Sequence, residues 1–99
     1  MARSHASAAE LRRVHRIFAL LGHSTRLVIY QRLARTPATA GELAGNLPIS
    51  RTAIVQHLKL LEQAGLVSAS AFGRRRVYRC QPEFLQPLVD WLSKYGEEG

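Results

Sequence analysis

The residues from Ser50 to Lys59 carry side chains suited to the edges of nucleic-acid bases. Ile54, Leu58 and Leu61 recur at i, i+4 and i+7 and define one buried stripe of a helix. The opposite side presents Arg51, Thr52, Val55, Gln56 and Lys59. Arg51 can donate twice to guanine O6 and N7, and Gln56 can pair with adenine. Thr52 and Val55 offer methyl groups to thymine. Ser50 can bond a phosphate through its hydroxyl, and the helix N-terminus adds backbone N–H donors. Lys59 falls nearer the sugar-phosphate backbone. The alternative is a solvated polar face, against which an outward Val55 weighs.

A second cluster follows at Gly73-Arg74-Arg75-Arg76. Two runs of strand-forming residues flank it, so it reads as a hairpin tip with Gly73 supplying the positive φ. Like charges at a tip repel, and a phosphate or a minor groove neutralises them. The alternative is a charged edge that blocks strand-to-strand aggregation.

The remaining chemistry-bearing residues do not assemble by spacing. His5, His15, His23 and His57 lack the i, i+4 pattern of a metal site, so no metal or other cofactor is expected from one chain. A site pairing Asp90 with a histidine of a partner chain stays open. His57 can reach a phosphate or hydrogen-bond internally, and the sequence does not choose between them. Cys80 shares a strand face with Tyr78, which makes a buried inert thiol the default and a redox switch the alternative. Arg79 reads either as a phosphate contact or as strand polarity. There is no glycine-rich phosphate loop, nucleophile elbow or acid–base pair, so no enzymatic activity is expected.

These residues need a scaffold. Helix one is expected over about Ala8–Leu21, with Leu11, Val14, Phe18 and Leu21 on one stripe and Ile17 and Leu20 widening it. Ser24 reads as the N-cap of helix two, about Thr25–Arg35, whose buried face is Leu27, Tyr30 and Leu33 with Ile29 beside it. Thr39-x-x-Glu42 is a capping box opening helix three through Gly45. Ser50 caps helix four, about Arg51–Ala64, and Gly65 is its C′ residue. Leu66–Phe72 and Arg76–Gln81 form the hairpin strands. Pro82–Gln86 is a turn, and Pro87 opens a last helix to about Tyr95. The fold expected is mainly α with a β-hairpin, in the order of four helices, two strands and a fifth helix: a winged helix-turn-helix.

The chain has 99 residues and a net charge of +7, with 12 Arg against 2 Lys. Its length fits one domain spanning residues 1–99, with Met1–Ser7 a flexible arm and residues 96–99 a flexible tail. A chain this short buries roughly 60–65% of its unfolded surface and gains from oligomerisation. The arginine surplus suits a polyanionic partner, double-stranded DNA in particular. Leu11, Val14, Phe18, Leu88, Trp91, Leu92 and Tyr95 exceed what a small core covers and are expected to join two subunits. One cysteine excludes an intramolecular disulfide and fits a reducing cytoplasm. No apolar run is long enough to span a membrane, and Met1–Ala9 lacks the apolar stretch of a signal peptide.

Read together, the segments Ala19–Arg26, Glu42-Leu43-Ala44, Ile49-Ser50, Gln56-His57-Leu58, Leu61–Val67, Gly73-Arg74-Arg75 and Tyr78 resemble the ArsR/SmtB family of bacterial winged-helix repressors. The resemblance covers roughly residues 11–95. It implies a homodimer joined through the first and last helices, and an autoregulatory repressor that occludes a palindromic operator. The chain departs from the family's sensors in having no Cys-x-Cys in helix three, only Glu83 and Asp90 near the last helix, and a single cysteine. Val55 stands where the family commonly has serine. The expected function is therefore a sequence-specific DNA-binding regulator. The alternatives are a winged-helix protein-interaction module and a redox-responsive repressor using Cys80.

Overall fold

The computed structural model describes residues 7–96; the expected arm (but for Ser7), His5 and the last three residues of the tail lie outside the described residues. Two helices, α1 (Ala8–Leu21) and α2 (Ser24–Arg35), lead into a two-residue strand β1 (Ala38–Thr39). Helices α3 (Ala40–Asn46) and α4 (Arg51–Gln63) follow, then strands β2 (Val67–Phe72) and β3 (Arg75–Cys80). A 3-10 turn (Pro82–Leu85) leads into α5 (Gln86–Tyr95), with Pro87 tolerated in its first turn.

Side chains set most of these boundaries. Ser7 accepts from the Glu10 N–H while Glu10 reaches back to Ser7 N–H, a reciprocal capping box. Ser7 is thus the start of α1 rather than part of an arm. Thr39 and Glu42 form the same box at α3, with bonds of 3.0 and 2.8 Å. Ser50 Oγ accepts from Ala53 N–H at 3.1 Å and opens α4. The cap of α2 differs from expectation. His23, not Ser24, holds the extended backbone, and its Nδ1 accepts from Thr25 N–H at 3.2 Å. The imidazole Nδ1 lies as near the backbone as an asparagine oxygen, so it reaches the same orphan donor.

The core joins α2, α3, α4 and the sheet, with α1 adding Ile17. Ile29, Leu33, Leu43, Ile54, Leu58, Leu61, Leu66 and Val67 are all but fully buried. The α4 stripe therefore faces inward as its spacing predicts. On α2 the buried residues are Ile29, Tyr30 and Leu33, while Leu27 is 48% exposed, contrary to its expected inward place. Ile29 takes that place because the core lies on the side of α2 that faces α4 and β3.

β3 is the central strand of an antiparallel sheet ordered β1-β3-β2. Tyr78 pairs with Ala38 on one side and Ala69 on the other, so its ring sits between two small neighbours. β1, which the sequence reading had no element for, ties the middle of β3 to the start of α3. Gly65 at φ 82 lets the chain leave α4 and enter β2, and a Cβ there would collide with the Phe84 ring.

Candidate nucleic-acid interface

The exposed side of α4 carries Arg51, Thr52, Val55, Gln56 and Lys59, all open to solvent. Val55 is 42% exposed, the outward apolar residue that the helical period requires. Ser50 stands exposed at the helix start, its hydroxyl engaged as the cap. The buried Ile54, Leu58 and Leu61 hold the other side of the helix, so the rotation of the polar face is set by the core.

The hairpin turns through Gly73 and Arg74 alone, since Phe72 pairs with Arg75. Gly73 has φ 63 and Arg74 has a negative φ, as in a glycine-first two-residue turn. The tip is therefore Arg74, while Arg75 and Arg76 already belong to β3. All three line one cleft of about 620 Å³ together with Arg51, Val55, Glu42 and Tyr78. The first turn of α4 and the wing thus open onto a single concave surface. Phe72, which sequence reasoning did not single out, is 58% exposed beside Arg74. Its place next to Gly73 is legible in the sequence; its exposure is not, because strand alternation does not say which face the core covers.

Two of the wing arginines are engaged within the chain. Arg76 Nη2 lies 2.9 Å from Glu62 Oε2, Arg76 Nε donates to Tyr78 Oη at 3.2 Å, and the guanidinium stands 5.6 Å from the Tyr78 ring centre. The bonds to Tyr78 and Glu62 hold its pKa above the ordinary arginine value. Arg75 Nη2 is 3.6 Å from Glu42 Oε2. Hydrogen bonds from Thr39, backbone first, keep the Glu42 carboxyl below its ordinary value, with Arg75 adding to the effect. Among the described residues Arg51, Lys59 and Arg74 have no ion pair.

His57, for which the sequence left a phosphate and an internal partner equally open, is half-buried and has partners within the chain. Its ring packs 4.9 Å from that of His23, and Arg26 Nη1 lies 3.5 Å from its Nδ1. A guanidinium only donates, so in any hydrogen bond between the two Nδ1 is the acceptor. Burial first, then the neighbouring His23 and Arg26, lowers the His57 pKa from its ordinary value. Arg26 also donates through Nε to Leu20 O at 2.7 Å, so this cluster ties the end of α1 to α2 and α4.

The other sequence-derived sites fall elsewhere. Cys80 is half-buried and donates to Tyr30 O at 3.3 Å; burial raises its pKa and the Tyr30 bond only partly opposes that. The redox reading therefore lacks an activated thiol. Among the described residues no group of three or more His, Cys, Asp or Glu is placed to hold a metal ion. No helix among them is long and apolar enough to cross a membrane. Phe18, Leu11, Leu92 and Tyr95 are exposed, and Phe18 meets Trp91 edge-on at 5.7 Å, with Trp91 in turn 5.2 Å from Tyr95. Leu88 is half-buried beneath them. Val14, expected in the same surface, is already buried within the chain.

Comparison with known proteins agrees with this geometry. Residues 21–68 match a family described as a helix-turn-helix domain. The HTH-type transcriptional regulator Rv2034 of Mycobacterium tuberculosis is 44% identical over 80 residues, covering 81% of this chain and 75% of that protein. An ArsR-like transcriptional regulator from Rhodococcus sp. RHA1 superposes with a TM-score of 0.81 at 34% identity, covering 90% of this chain and 84% of that one. The solution structure of a homodimeric winged helix-turn-helix DNA-binding domain from Mycobacterium bovis gives 0.73 at 27% identity, covering 99% and 94%. With an exposed polar face on α4, a basic wing and these relatives, the chain belongs to the ArsR/SmtB family of winged helix-turn-helix, DNA-binding transcriptional regulators.

Proposed function

We propose that the protein acts in the cytoplasm as a homodimer that grips a palindromic operator in duplex DNA and represses transcription, its own gene included, by occluding that site. The observation that carries this is the single concave surface shared by the first turn of α4 and the arginine-bearing wing. Arg51 and Gln56 read bases, Thr52 and Val55 contact thymine methyls, and Ser50, Lys59, Arg74, Arg75 and Arg76 meet phosphates. Dimerisation is supported by the exposed Leu11, Phe18, Leu92 and Tyr95 with the half-buried Trp91 between the two aromatic rings, and by the homodimeric neighbour from M. bovis. Two recognition helices related by a two-fold axis then fall about one DNA turn apart.

The test is fluorescence anisotropy with the DNA upstream of the protein's own gene against a scrambled duplex, in roughly 0.15 M salt, where a specific site binds about a thousandfold or more tighter. Equal weak binding to both duplexes would reject autoregulation. Binding to neither would favour a protein-interaction module. Sedimentation of Trp91→Ala checks the dimer; a mass unchanged from the wild-type dimer would remove α5 from the interface.

A further inference from the structure

Adjacent residues on a strand point to opposite faces, so Arg75 and Arg76 leave β3 on different sides. Each nevertheless meets a carboxylate, and the two acids come from the two helices of the helix-turn-helix: Glu42 from α3 and Glu62 from α4. Glu62 lies in the last turn of α4, where the helix dipole disfavours a negative charge. Arg76, pinned by Glu62 and by the Tyr78 hydroxyl, offsets that cost. Glu42 divides its two oxygens: Oε1 accepts from Thr39 N–H and Oε2 faces Arg75. Arg74 at the tip has no such partner among the described residues.

Resting on the reading that α4 and the wing bind DNA, we infer that Glu62 and Glu42 are positioning residues for the wing. They compete with phosphate for these guanidinium groups, so that on duplex of arbitrary sequence those contacts form only in part; they hold the wing against the helix-turn-helix in the free protein and lower affinity for such duplex. The exchange trades one exposed ion pair for another, so its net gain is small. Arg74 and Arg51, without carboxylates, contribute to phosphate and base contacts undiminished. The device suppresses sequence-independent binding more than specific binding, because the base-reading side chains of α4 are not held by it.

Salt dependence measures this directly, since each added phosphate contact steepens the logarithmic slope by about 0.9. The probe is a short scrambled duplex titrated by anisotropy across a salt series. Glu62→Gln keeps the side-chain volume and is expected to steepen the slope by about one and to tighten binding about three- to tenfold near 0.15 M salt. Glu42→Gln, which retains the capping box, acts in the same direction but less, as its pair is the longer. Glu83→Gln makes the same charge change on the 3-10 turn, at the other end of β3 from the tip, and should leave the slope alone. In an Arg76→Ala background Glu62→Gln should also leave it alone. A Glu62→Gln slope equal to that of Glu83→Gln, or the same steepening without Arg76, would overturn the inference while leaving DNA binding intact. Wild-type protein with no salt-dependent binding, and no response to Arg74→Ala, would instead overturn the underlying reading and the inference with it.

Discussion

The first turn of α4 and the wing are both basic and open onto the same cleft, yet their side chains are held in opposite ways. Arg51, Thr52, Val55 and Gln56 stand exposed, with no hydrogen bond or ion pair among the described residues, on a helix whose rotation is fixed by three buried residues. Arg75 and Arg76 are braced by carboxylates of the two neighbouring helices. Reading a base edge needs donors whose geometry is set by a rigid backbone and whose hydrogen-bonding capacity is unspent. Gripping phosphate needs only charge, which can be lent from an internal partner. One surface can therefore combine a fixed reader with an exchangeable grip.

The contrast is broken most severely by removing what orients the reader. Leu58→Ala, deep in the core, is expected to cost about 2–5 kcal/mol of folding free energy, read as a lowered midpoint in urea. Next in size, Arg51→Ala should cost about 1–3 kcal/mol of discrimination at one operator position while scarcely changing the salt slope. Competition binding against single-base operator variants checks this; uniform weakening across all variants would make Arg51 a phosphate ligand instead. Arg74→Ala should do the reverse, weakening every duplex alike and reducing the slope by about 0.9. Arg76→Ala should change the slope less than Arg74→Ala, because its charge is already matched by Glu62. Ser50→Ala, loss of the α4 cap, is expected to cost about 1 kcal/mol of stability, visible in denaturant titration.

The smallest expected effect concerns the joint behind the reader. The His57 pKa is lowered in the folded state, so between that value and its ordinary 6.5 the unfolded chain binds more protons than the native one. This contribution to stability is present above about 6.5 and is lost as pH falls through the folded value. The groups facing His57 are His23 and Arg26, both from α2 and its cap, with no carboxylate among the described contacts. The thermal midpoint of His57→Gln should accordingly fall less than that of the wild type between neutral pH and the onset of carboxylate protonation. Equal falls in both proteins would show that His57 contributes nothing to that slope.

Much of the scaffold was legible because its signals are local. The Thr39–Glu42 box, the Ser50 cap, the Gly65 exit and the i, i+4, i+7 stripe of α4 act within one or two turns, and each stands where its spacing predicts. Where a position depended on what lay across the core, local pattern failed. Leu27 satisfied the apolar period of α2 as well as Ile29 did, and only the place of α4 and β3 decided which one was buried. β1 has two residues, too few to show any period, and exists because β3 offers a free edge beside it.

The candidate interface divides along the same line. Residue types and helical spacing alone determined which side chains could read bases and that the hairpin tip would be basic, since both follow from covalent geometry and short-range periodicity. Which of those side chains are spoken for was decided by tertiary structure. His57 meets a ring and a guanidinium 34 and 31 positions earlier in the chain, and Arg76 meets a carboxylate 14 positions earlier. Such partners are found only when packing brings distant elements within a few ångströms, the distance over which hydrogen bonds and exposed ion pairs act.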